Sequence, residues 1–113
     1  MKKIKFVNLT PYDITVGNRD PIPATGNVAR LNAQTFQARL LDGIPVFETR
    51  INGVTGVPDP QENIYYIVPA IVRQYYPQRK DLLSPAKLVR DKTGAVQRCL
   101  GLEMNPNVID QAL

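Results

Sequence analysis

Ten prolines and seven glycines punctuate this 113-residue chain, and no interval between them accommodates a long helix. Proline removes a backbone donor and clashes with the preceding helical turn, so the intervening segments must fold as short pieces. Those pieces are rich in β-branched and aromatic residues at close spacing, the pattern of antiparallel β structure. A chain of this length reads as one domain over residues 1–113, able to bury about two-thirds of its unfolded surface. With 43% hydrophobic and 21% charged residues it has the balance of an ordinary globular domain. The expected fold class is α+β: a mostly antiparallel β-sheet with one short helix near 69–77.

Residues 3–9 read as a first strand, and Thr10, Pro11 and Tyr12 as a turn. Asp13 to Val16 reads as a second strand, Asn18 to Pro23 as a loop and Asn27 to Leu31 as a third strand. Asp42-Gly43 is a favoured two-residue turn of type I′ between apolar runs. It would set Leu41 opposite Ile44, Arg39 opposite Val46 and Ala38 opposite Phe47. Phe36, Ala38, Leu40 and Phe47 would then form a core face, and Gln37, Arg39 and Glu48 a wet one. Pro45 cannot donate to a ladder and marks its strand as an edge. Ile64 to Val68 is a strong strand, of whose two tyrosines only one can face the core. Ala70 to Tyr76 can make two helical turns after Pro69, with Ile71, Val72, Tyr75 and Tyr76 inward and Arg73 and Gln74 outward. Leu82 and Leu83 anchor the chain to the core, and Ser84-Pro85 begins a turn. Leu88 to Arg90 and Val96 to Leu102 flank a hairpin turn at Gly94.

The chain has no His, no Trp, one Cys and one Ser. A Ser-His-Asp or Cys-His nucleophile cannot be assembled, nor a His-rich zinc site or a CxxC pair. Cys99 reads as a small buried hydrophobe on a strand, with a thiol activated beside Arg98 as the alternative. Asp59, Glu62, Asp81 and Asp91 are scattered, with no spacing that forces a glycosidase pair or a magnesium site. The glycines at 53 and 56 form no phosphate loop, since no Gly-Lys-Thr follows before a helix. The expectation is a non-enzymatic protein with no cofactor and no metal. No run approaches the ~20 apolar residues of a membrane helix. The basic start lacks the apolar stretch of a signal peptide, which points to a cytoplasmic protein that engages no membrane.

The net charge of +4 is unevenly placed. Residues 63–98 hold seven basic and two acidic side chains, whereas residues 1–62 are nearly balanced. Arg73, Arg79, Lys80, Arg90 and Arg98, with Lys92, lie on the expected helix, its following loop and the last hairpin. Tyr65, Tyr66, Tyr75 and Tyr76 are interleaved with them. Arginine forks grip phosphate and aromatic faces stack on bases. The candidate ligand-binding set is therefore Arg73, Arg79, Lys80, Arg90, Arg98, Tyr65 and Tyr76. The bland alternative is a solvated basic face with tyrosines packed as amphipathic core.

The stretch Phe6 to Pro11, reading Phe-Val-Asn-Leu-Thr-Pro, resembles a family of small uncharacterised bacteriophage and prophage proteins. Similar stretches follow in the same order: Gly43 to Val46, Gly53 to Gly56 with Pro58, Tyr66 to Val68, Arg79 to Leu82, and Val89 to Asp91 with Gly94. Together they cover roughly residues 5–102. The family commonly carries His after its Thr-Pro, where this chain has Tyr12. The resemblance implies a viral context, hence the cytoplasm of a host cell, and no particular chemistry. The expected function is an accessory protein that binds an anionic ligand, a nucleotide or nucleic acid, and sequesters a host nucleotide signal. Two alternatives stand beside it: an interaction module that inhibits a host protein through the 36–51 hairpin edge, and a self-associating virion or assembly component forming a homo-oligomer.

Overall fold

The computed structural model describes residues 3–106. Its elements are β1 (Lys5–Asn8), β2 (Arg30–Leu41), β3 (Ile44–Thr55), β4 (Ile64–Ile67), α1 (Ala70–Tyr75), β5 (Leu82–Arg90) and β6 (Val96–Met104). The class is α+β, as composition and punctuation indicate. Two sheets form: a four-stranded one in the order β1-β4-β5-β6, and the β2-β3 hairpin alone.

The four-stranded sheet is mixed. β1 pairs parallel with β4, β4 parallel with β5, and only β5-β6 is antiparallel. Parallel neighbours need a long connection. The connection between β4 and β5 carries α1, and the one between β1 and β4 carries the whole β2-β3 hairpin. The expected strand at Asp13 to Val16 is reduced to single bridges, Ile14 with Ile22 and Val16 with Cys99. Those bridges have a topological consequence. Val16 lies against β6, Ile14 against Ile22, and Ala24 against Asn8 of β1. The hydrogen-bonded neighbours therefore form a closed circuit, in which each edge of the four-stranded sheet is met by one bridge, at Asn8 on β1 and at Cys99 on β6. The backbone bonds that close it include Gly17 N–H to the Cys99 carbonyl at 2.8 Å and Cys99 N–H to the Thr15 carbonyl at 2.9 Å.

Leu9, Ala29, Tyr66, Val68, Val72 and Leu82 are buried together as the core, with Leu31 and Val54 at the hairpin base packed against them. Tyr66 faces this core, while Tyr65 takes the opposite face of β4 beside Phe6, ring centroids 6.2 Å apart. Cys99 is a buried free thiol on β6, as its residue type suggests.

Several local expectations are corrected. Ser84 and Pro85 begin no turn; both lie within β5. Pro85 is tolerated because β4 pairs only with Leu82 and Leu83, so its missing N–H deprives no neighbour on that side. The helix is rotated from its expected setting. Val72 and Arg73 are buried and Tyr76 is half-buried, while Ile71 is 56% and Tyr75 41% exposed. The Asp42-Gly43 turn is type I′, with φ of 52° and 79°, and sets Leu41 opposite Ile44 and Arg39 opposite Val46. Beyond that the register slips, because a bulge between Gln37 and Arg39 brings Gln37, not Ala38, opposite Phe47. The hairpin also has no core face. Leu40 is 60% and Phe47 62% exposed, and Phe36 is covered chiefly by Arg50, whose guanidinium sits 4.7 Å from its ring centroid. The hairpin stands off as an arm, and the radius of gyration is 17.3 Å where a compact chain of this length would give ~13 Å.

Gly56 marks where the arm rejoins the body. Its φ is +85°, and a Cβ there would lie 2.6 Å from the Val28 carbonyl oxygen. At Gly94 the φ is +91° but the space is open. Gly56→Ala is expected to cost about 3 kcal/mol or more and Gly94→Ala about 1 kcal/mol, the difference being the backbone collision. Urea denaturation of the two variants measures it, and equal losses would contradict the close approach.

Candidate functional site

Four of the expected ligand-binding residues do come together, but as an internal brace. Arg73 is only 4% exposed. Its Nε donates to Ser84 Oγ at 2.9 Å and its Nη1 to Asn105 Oδ1 at 3.0 Å, while Nη2 lies 3.7 Å from Glu103 Oε1. Asn105 is buried and donates from Nδ2 to the carbonyls of Tyr76 and Arg79 at 2.8 and 2.9 Å. Lys80 Nζ donates to the carbonyls of Asn105 and Pro106. Arg79 forms a two-pronged pair with Asp81, both contacts 2.7 Å, and donates to the Pro58 carbonyl at 2.9 Å. The hydrogen bond that Arg79 donates to Asp81 raises the Arg79 pKa further, outweighing the opposing effect of burial. Tyr76 packs against Tyr75 edge-on and lies under the Arg79 guanidinium. Charge that the sequence offers as a phosphate grip is thus used to tie α1 to the strands.

The remaining three candidates lie apart. Tyr65 stays with Phe6 on the other face of β4. Arg90 donates from Nη1 to the Gly94 carbonyl at 2.8 Å and closes the β5-β6 hairpin. Asp91 organises the same turn, its Oδ1 accepting from the Thr93 amide, the Thr93 hydroxyl and the Ala95 amide. Those bonds, led by the Thr93 hydroxyl, hold the Asp91 carboxyl below its usual pKa.

Arg98 differs from the rest. It lines a cleft of about 600 Å³ between segment 12–15 and the β5-β6 hairpin, a volume typical of small-ligand sites. Its backbone pairs with Val89 in the β5-β6 ladder, and its side chain makes no hydrogen bond or ion pair with the described residues. The cleft walls are largely apolar, with Ile14, Ala70, Pro85, Leu88 and Val96, and its polar lining includes Tyr12, Gln97 and the Asp13 carboxylate, whose Oδ1 accepts from the Ala24 amide. Tyr12 is 73% exposed. Its position is fixed from behind. Asn8 Nδ2 donates to the Tyr12 carbonyl at 2.8 Å and to the Ile22 carbonyl at 2.9 Å. The Thr10 hydroxyl lies 2.7 Å from Asn8 Oδ1 and 2.9 Å from the Tyr12 carbonyl, with one proton to share between them. Tyr12 is absent from the sequence-derived set.

A second cleft, of about 560 Å³, opens toward the other ends of β5 and β6. Phe6, Val16, Ile22, Leu83, Leu102 and Met104 line it, with Arg19 and Asp20. No three His, Cys, Asp or Glu side chains come together as a metal site among the described residues. No described helix is long and apolar enough to cross a membrane.

No family model, no curated protein and no solved structure matches this chain.

Two outcomes follow from this arrangement. Arg73→Ala leaves Ser84, Asn105 and Glu103 without their donor inside the protein, and is expected to cost about 3 kcal/mol, a scale set by broken buried pairs. Arg73→Lys should recover little, because an ammonium cannot span the Ser84 and Asn105 directions together. Denaturant midpoints read both. Asp91 is expected to titrate below the usual aspartate range by NMR. Because ionisation is favoured in the folded turn, its contribution is present above about pH 4 and lost as pH falls below that. Asp91→Asn should remove this dependence from the exchange rates of the Thr93 and Ala95 amides.

Proposed function

We propose that this chain is a phage-type accessory protein that binds, without turning over, an anionic nucleotide in the cleft between Tyr12 and Arg98. The observation that carries the reading is an exposed aromatic side chain and a guanidinium without a side-chain partner among the described residues, both lining one largely apolar cleft of ligand size. An apolar wall with a few polar groups suits a base or nucleoside, and a guanidinium suits phosphate. Retention of such a ligand by a small protein would withdraw a host nucleotide signal from its receptor. A nucleic acid strand is the variant of the same chemistry, in which the exposed Lys87, Lys92 and Arg98 of the β5-β6 hairpin would track phosphates.

The test is a thermal-shift and calorimetric screen against mononucleotides, linear and cyclic dinucleotides, and short single-stranded oligonucleotides. A nucleotide at one hundred times its dissociation constant should stabilise the fold by about 2.7 kcal/mol. Arg98→Ala and Tyr12→Ala should each weaken binding tenfold or more while leaving the unliganded melting temperature unchanged, since neither side chain braces the fold. Arg19→Ala, at the other cleft, should bind as the parent does. A strand-binding mode would instead show log affinity falling with log salt at about −0.7 per phosphate contact. A flat screen, or binding indifferent to both Arg98 and Tyr12, overturns the site.

A further inference from the structure

We propose that the β2-β3 arm is a self-association device: two copies pair their β2 strands antiparallel about a two-fold axis. Each arm tip then rests beside α1 of the other copy. Three observations carry this, none of them dependent on the nucleotide cleft.

The first is that the arm is unfinished as a single hairpin. Two strands alone are marginal in water, and a third strand or a packed face is what makes a sheet stable. Here the base is seated through Leu31 and Val54, but the tip is bare on both faces. Leu41 and Ile44 lie on one face, 52% and 64% exposed. Leu40 and Phe47, 60% and 62% exposed, lie on the other, followed along the strand by Ile51 at 50%. With roughly 150–250 Å² for a large side chain, these five leave on the order of 500 Å² of apolar surface. That is at the upper end of what a monomer usually exposes. Pairing of the β2 edges leaves the sheet faces open, so the apolar burial comes from the one tip face that meets α1 of the other copy, made twice by the two-fold axis and added to the paired backbone.

The second observation selects the edge. β3 carries Pro45, Gly53 and an irregularity in its register near Gly53, which blunt its outer edge. β2 runs for twelve residues with no Pro and no Gly, its own bulge lies at Ala38 toward the tip, and its only charges are Arg30 and Arg39. A pairing centred on Thr35 sets Arg30 opposite Leu40 and Arg39 opposite Leu31 of the other copy, so no like charges meet.

The third observation supplies the landing surface. In that pairing the tip of one arm reaches the base of the other, where β2 lies beside α1. The helix exposes Ile71 and Tyr75 to 56% and 41%, the outcome of turning Arg73 inward. An apolar tip and an apolar patch are thereby presented by the same chain at the two ends of one strand, as an isologous interface requires.

Sedimentation velocity of the full chain from 1 to 100 μM is the primary test. The parent chain should sediment at twice its 12.6 kDa mass, and Phe47→Lys combined with Ile44→Lys at its single-chain mass. Ile71→Lys should weaken the dimer at least tenfold, and Leu100→Lys, an exposed leucine on β6, should leave it unchanged. Circular dichroism confirms that each variant is folded. Thr35→Cys should form an interchain disulfide under mild oxidation, because a residue on the two-fold axis meets its own copy within the ~4.4–6.8 Å that a bridge spans. A parent chain that remains single at 100 μM overturns the proposal. So does a dimer that survives the double arm substitution, or one that Thr35→Cys does not cross-link. Nucleotide binding is read separately through Arg98→Ala, so either proposal can fail alone.

Discussion

Asn8 is the residue on which the body of this protein closes. It is 1% exposed, and every hydrogen-bonding direction of its side chain is used within the fold. Its amide holds the carbonyls of Tyr12 and Ile22, its side-chain oxygen receives the Thr10 amide and hydroxyl, and its backbone carbonyl receives the Thr25 amide and hydroxyl. One short side chain thus returns the following segment past the edge of β1, from where it reaches β6. A buried amide left without these partners would leave several backbone groups unsatisfied, each costing about 1–3 kcal/mol. The Asn-Leu-Thr-Pro run that most strongly marks this sequence is therefore explained by chain closure, and Tyr12 is presented at a cleft as a consequence.

The second constraint is the buried Arg73. A guanidinium inside a small protein is stable only when its donors are satisfied, and Ser84, Asn105 and Glu103 satisfy it. The chain has one serine, and it stands there. This brace sets the rotation of α1, sends Ile71 and Tyr75 outward and, with Arg79 and Lys80, takes up three of the five cationic side chains that the sequence offers as ligand-binding. What remains for the proposed recognition is narrower than the charge count: Arg98 with an exposed tyrosine in one cleft, and the exposed Lys87 and Lys92 of the same hairpin.

Nucleotide capture and self-association are compatible, because the cleft and the arm lie on different parts of the molecule. The cleft belongs to the closed body, whose hydrogen-bonded circuit fixes Tyr12 and β6 relative to each other. The arm is held only at its base, so pairing with a second copy would stiffen it without reshaping the cleft.

Local chemistry made much of the fold legible. Asp42-Gly43 specifies a type I′ turn wherever it is placed, Ile64 to Ile67 is a strand by its side chains, and Pro69 and Pro77 bracket a helix too short to be anything else. The class followed from such elements, because each depends on neighbours within a few residues. Arg73 illustrates the limit. A two-turn helix has apolar residues on more than one side, and which side turns inward depends on Ser84 and Asn105, 11 and 32 residues away. The parallel pairing of β1 with β4 is likewise invisible to local reasoning, since hairpin signals report only adjacent strands. Of the candidate site, the sequence offered arginine and tyrosine side chains as the candidates. Tertiary structure decided which of them are spent on packing and which face solvent, because burial and hydrogen-bond satisfaction are set by residues brought together from across the chain.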